Sequence, residues 1–230
     1  KTAYEIKECD WSSDVCSSDL PCRRMALAVL RQMKQALATL NPGEMRALAE
    51  RPIRMGIVAP SPEELGDMET YFAPLHYSHD RRVQAVGSLV RGGGRSCDLE
   101  IYDSSILRPV KAFSYDPESP DDCVRRVIRN REDLMIPLAR NFYPFRKPTV
   151  HRIIRSIAKE NALFCLATAI PDVVPSLASI PWAFGEFTSD TAFLTMNQIR
   201  MTFMIAAASD RPIGYREQRS EIASIVASAF

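Results

Sequence analysis

The stretch from Ala162 to Ser209 limits the folds open to this chain more than any other. It is mostly apolar, is broken by Pro171, Pro175 and Pro181, and carries only Asp172, Glu186, Asp190 and Arg200 as charges. A membrane-spanning helix needs about 20 consecutive apolar residues. The run from Leu163 to Ile170 is too short for that, and Lys159 and Glu160 precede it. Thr191 to Ala208 would extend about 27 Å as a helix. Arg200 lies in its middle, and a central arginine costs roughly 2.5–3.5 kcal/mol on insertion scales. Thr191, Thr195, Gln198 and Thr202 fall on one face, a polar stripe suited to helix–helix hydrogen bonding. The physics fits a hairpin of two helices around a Pro-rich turn, either at a membrane or in a soluble bundle. Asp172, Glu186, Asp190, Gln198 and Arg200 are read as inward polar residues that fix the packing.

Lys1 to Leu20 fits no hydrophobic period and lacks the apolar centre of a signal peptide. It resembles a translated short-read sequencing adapter, matching at Lys1–Ile6 and Asp10–Leu20, and is kept out of the fold reasoning. The natural start is then missing, and the last helix stops without a cap, so truncation is expected at both ends. This segment holds two of the 29 Lys and Arg and five of the 28 Asp and Glu. Residues 21–230 therefore carry 27 minus 23, a net charge of +4, too mild to suggest nucleic-acid binding. Cys22, Cys97, Cys123 and Cys165 are widely spaced with no C-x-x-C pair, so they read as reduced thiols of a cytosolic compartment. Cys165 reads as a packing residue.

Leucine and methionine spacing from Arg23 to Leu40 predicts an amphipathic helix. Three start signals follow: Asn41-Pro42-Gly43-Glu44, Ser61-Pro62-Glu63-Glu64 and Ser119-Pro120-Asp121-Asp122. Each sets a capping side chain before a first-turn proline and an acid. They predict helices over Glu44–Glu50, Pro62–Ala73 and from Pro120 onward, interrupted near Pro137. Ile53–Ala59, Asp98–Asp103 and Val110–Tyr115 read as strands. Arg81–Val90 reads as a helix ended by Gly92-Gly93-Gly94. Asn141–Pro148 reads as a connector, followed by helices over 149–170, 191–208 and 215–230. The fold class is α+β, mostly helical: a small α/β unit followed by a helical hairpin or bundle. The divisions are 1–20 as artefact, 21–148 as a helix plus the α/β unit, and 149–230 as an apolar helical domain.

No catalytic, cofactor-binding or metal residues emerge, and no cofactor is expected. A phosphate loop after Ile53–Ala59 would need backbone N–H groups and a lysine. The sequence offers Pro60-Ser61-Pro62-Glu63-Glu64 instead, which removes donors and adds negative charge. Gly92-Gly93-Gly94-Arg95 reads as a flexible turn. His76 and His79 lie three apart beside Asp80, whereas helical metal pairs want four, so an exposed loop is favoured. Asp116, Glu118, Asp121 and Asp122 form an acidic cluster, two of them explained as caps, with a cation site as the minor alternative.

The segment from Ile153 onward resembles a bacterial family of uncharacterised helical domains, domain of unknown function 697. Ala169-Ile170-Pro171-Asp172, Thr195–Met201 and Ile205–Ala208 carry the resemblance, which covers about a third of the chain. It implies membrane association, and such domains often follow a small GTPase domain. The expectation is a non-enzymatic scaffold or regulatory module on the cytoplasmic side of the inner membrane. The alternative is a soluble interaction protein with a degenerate GTPase-like α/β unit, lacking a phosphate loop, that binds a partner GTPase or itself.

Overall fold

The computed structural model describes residues 40–94, 96–169 and 190–229. The order of elements is α1 (Pro42–Ala49), β1 (Met55–Val58), α2 (Pro62–Phe72), α3 (His79–Gly87), β2 (Leu89–Arg91), β3 (Leu99–Asp103) and β4 (Phe113–Tyr115). Then come α4 (Pro120–Asn130), a 3-10 turn (Glu132–Leu134), α5 (Met135–Asn141), α6 (Tyr143–Ala169), α7 (Asp190–Ala208) and α8 (Arg219–Ala229). The chain is thus α+β and mostly helical, with a β/α region followed by a helical bundle.

The four strands form one parallel sheet in the order β2-β1-β3-β4. β3 alternates buried Leu99, Ile101 and Asp103 with half-buried Glu100 and Tyr102. This alternation sends one set of side chains to the core and the other to the opposite face. Met55, Ile57, Leu99 and Ile101 meet Phe72, Val127, Phe142 and Phe145 in the main core. Phe72 stacks on Phe145 with ring centroids 5.9 Å apart. The opposite face bears Gly56, crossed by the segment that leads from β2 to β3. A Cβ on Gly56 would stand 3.1 Å from Cys97 Sγ, and one on Gly93 would stand 2.5 Å from the Tyr102 hydroxyl. Gly93 thus sits against the sheet and Gly92 takes φ +87°, so two of the three glycines of the expected turn have a steric or backbone reason to be glycine.

β2 was not foreseen: the helix expected over Arg81–Val90 ends at Gly87, and a three-residue strand follows. The expected interruption at Pro137 falls earlier, at Asn130–Arg131, and Pro137 sits in the first turn of α5. The expected connector Asn141–Pro148 is almost all helix. α6 starts at Tyr143, with Pro144 in its first turn and Pro148 inside it. Two of the three caps form: Asn41 Oδ1 accepts from Gly43 N–H at 2.9 Å, and Ser61 Oγ accepts from Glu64 N–H at 3.2 Å. Ser119 instead donates to Asp116.

The membrane expectation is corrected. Among the described residues no helix is long and apolar enough to cross a membrane. α7 is a core helix: Ile199, Phe203, Ala206 and Ala207 pack with Ala49 of α1, Ile136 of α5 and Ile213. Arg200, which would be costly in lipid, is half-exposed and pairs with Glu160 of α6 at 3.0 Å. Among the described residues the hydroxyls of the polar stripe bond within their own helix. Thr195 and Thr202 donate back to the carbonyls of Thr191 and Gln198 on their own helix. The bond across the pair comes from Asn197, whose amide donates to Asn161 Oδ1 at 2.7 Å. Cys165 is exposed. All but the last residue of the helix expected from Arg23 to Leu40 lies outside the described residues, as do Cys22 and the Pro-rich turn with Asp172 and Glu186.

Candidate functional site: a basic groove on the helical face

α4 buries Cys123, Val124, Val127 and Ile128. That spacing holds one face on the core and leaves Arg125 and Arg129 on one flank and Arg126 and Asn130 on the other. α6 buries Phe145, Thr149, Ile153 and Ile157, one residue per turn. His151, Arg152, Arg155 and Lys159 are thereby left on its outer side. α7 runs beside α6 and brings Arg200 to the same place. The three helices enclose a groove of about 680 Å³. Arg125, Arg129, Arg152, Arg155, Lys159 and Arg200 line it against one lining carboxylate, Glu132. Ile128, Met135, Ile153, Ile157 and Met204 form an apolar floor.

Some of this charge is already matched. Glu132 pairs with Arg152, Asp122 with Arg125, and Glu160 with Arg200. The hydrogen bond to Asp122 raises the Arg125 guanidinium above its ordinary range. Arg155 and Lys159 are exposed and form no ion pair among the described residues. At its α4 end the groove continues into a second hollow, sharing Arg125, Pro148 and His151 with it and adding Lys147, Arg146 and Tyr143. Arg146 lies over the rings of Tyr77 and Tyr143, at 5.6 and 5.9 Å from their centroids.

Chemically this is a surface for anions beside hydrocarbon. Of the five polar residues read from sequence as fixing the packing, Arg200 lines the groove. Gln198 is exposed and does not take the inward packing role given to it. Asp190 opens α7. Arg125, Arg129, Arg152, Arg155 and Lys159 were missed as a set. Their spacing of three and four along α4 and α6 was the available signal; what it lacked was that the two helices lie side by side. His76 and His79 are exposed, His76 standing edge-on to Tyr143 at 5.1 Å. Among the described residues no group of three His, Cys, Asp or Glu side chains could hold a metal ion, and Cys97 and Cys123 are free thiols. In the acidic cluster, Asp116 accepts from Glu118 N–H and Ser119, and Asp121 accepts from the Tyr71 hydroxyl.

A scan against protein-family models, a search of curated proteins and a search of solved structures each return no match. The resemblance to domain of unknown function 697 gains no support from them. The inner membrane as a partner is set aside, since no described helix is long and apolar enough to cross one, and the GTPase or second copy named for the soluble alternative gains no support from the comparisons.

Proposed function

We propose that this chain is a non-catalytic interaction module that holds an acidic, partly apolar segment of a partner protein in the groove between α4, α6 and α7. One observation carries the reading: six cations surround an apolar floor with a single carboxylate among the lining residues. Buried apolar surface would supply affinity at about 25 cal/mol per Å². The ring of charge would set register and speed encounter. An amphipathic acidic helix has both parts, apolar residues for the half-buried Met135 and Met204 and carboxylates for Arg155 and Lys159.

A fluorescent peptide with Leu and Glu at helical spacing is the probe, read by anisotropy. Binding should weaken steeply with salt. The double variant Arg155→Glu/Lys159→Glu removes exposed side chains with no ion-pair partner among the described residues and should leave folding intact by circular dichroism. It should weaken binding more than about tenfold. Equal binding by this variant, or tighter binding of an oligonucleotide than of the peptide, overturns the reading.

A further inference from the structure

β4 is the outer strand of the sheet, and its free edge is arranged for more than closure. β4 pairs with β3 in the register Ile101↔Phe113, Tyr102↔Ser114 and Asp103↔Tyr115. Tyr115 turns its carbonyl to β3, where it accepts from Ser104 N–H at 2.7 Å. By the alternation of a parallel ladder, Phe113 faces β3 likewise and Ser114 turns its N–H and carbonyl outward. The outward carbonyls are occupied by side chains. Arg126 donates to Ser114 O at 2.8 Å, and Arg108 donates to Ala112 O at 2.6 Å.

A hollow of about 460 Å³ runs along this edge, lined by Arg108, Val110, Lys111, Arg126 and Arg131 with no carboxylate among its lining residues. Arg131 is held by Asp133 and by the carbonyl of Asp98. Lys111 is exposed, and Val110 at the rim is 98% exposed. One edge charge is enough to discourage strand pairing. Here Arg108, Lys111 and Arg126 gather at one short edge, and two of them sit where an incoming strand's N–H groups would donate.

We propose that the β4 edge takes an extended acidic segment of a partner protein as an added strand. In the free chain Arg108 and Arg126 stand in for that strand by satisfying Ala112 O and Ser114 O. On binding, main-chain N–H groups of the segment take over those two carbonyls, and Ser114 N–H donates to a carbonyl of the segment. The released guanidinium groups and Lys111 then pair with its carboxylates. No buried donor or acceptor is left unmatched on either side, which is the condition for strand addition at low cost. This goes beyond the groove proposal and stands on separate residues, α4 presenting Arg126 to the sheet edge and Arg125 and Arg129 to the groove.

The probe is a blocked peptide of alternating Val and Glu, titrated by calorimetry against the full chain. A Val/Lys peptide and a Val/Glu peptide N-methylated at alternate residues serve as controls. The Val/Glu peptide should bind, the two controls should not, and the Ser114 amide should gain protection from hydrogen exchange. Ser114→Pro removes the outward N–H without touching the ladder to β3, as edge prolines do, and should weaken binding more than about tenfold. Lys111→Glu, an exposed substitution, should do the same if Ser114→Pro fails to fold. Arg155→Glu/Lys159→Glu should leave this binding unchanged, so failure here and failure of the groove are separable. Equal binding of the N-methylated peptide, unchanged affinity in Lys111→Glu, or no binding at millimolar peptide overturns the proposal.

Discussion

Asp210 ties three elements together with one side chain. It follows α7 in the left-handed backbone region at φ 59°, unusual for any residue but glycine, asparagine or aspartate. Its carboxylate pairs with Arg81 of α3 and with Arg140 of α5, the latter at 3.4 Å. Burial lowers both arginines from their ordinary range, with the nearby Arg146 adding to it. Without Asp210 only the charge of Glu50, which acts on Arg140, would offset the pair. Asp210→Ala is expected to cost about 2 kcal/mol in urea unfolding, from the partly screened stranded charges and the left-handed alanine. Asp210→Asn keeps the backbone tolerance and should lose about 1 kcal/mol less. If both variants unfold like the parent chain, the triad is ornamental. The aspartate was visible in the sequence before Arg211-Pro212, but nothing local shows Arg81 and Arg140 arriving from distant parts of the chain.

Among elements, the helix starts were the most legible. Asn41 and Ser61 cap as their short-range pattern requires, because a cap depends on groups two or three residues away. Ser119 shows the limit of that reading. Asp116, also close in sequence, offers a stronger acceptor and takes the hydroxyl at 3.0 Å. Ser61→Ala should therefore cost about 1 kcal/mol, and Ser119→Ala clearly less, in thermal or urea unfolding. The reverse order would show that the capping geometry is misread. β2 and the Gly92–Gly94 crossover were not legible. A three-residue strand has no period to detect, and its pairing with Met55–Ile57 is a contact between segments more than thirty residues apart. The threonines of α7 misled for a related reason: a polar stripe cannot show whether its hydroxyls bond to a neighbouring helix or to their own turn.

At the scale of the whole molecule, the main core holds titratable groups in their neutral form. Burial pushes the Cys123 thiol from an ordinary 9.0 up to about 12, and the Tyr115 hydroxyl from 10.0 up to about 12. Tyr71 is raised as well, by burial first and then by its hydrogen bond to Asp121. Each binds its proton more tightly folded than unfolded, so unfolding releases protons in this window and stability falls as pH rises. The loss should begin near pH 9, at the unfolded thiol value, and deepen toward pH 12. Cys123→Ala should move its onset up toward pH 10, where tyrosine takes over. Circular dichroism against pH tests this, and a flat profile from 9 to 12 in the parent chain would contradict it.

The sequence by itself determined the fold class, three of the four strands and the positions of most helices. These depend on periodicity, caps and prolines, whose effects act within a few residues. Only the tertiary structure decided that Ala162–Ser209 contributes a core helix of a bundle, because an apolar helix looks alike whether lipid or protein covers it. Only packing placed α4, α6 and α7 side by side so that separate rows of cations became one groove. The parallel pairing that leaves β4 as an open edge was settled in the same way, by contacts between residues that the chain itself keeps far apart.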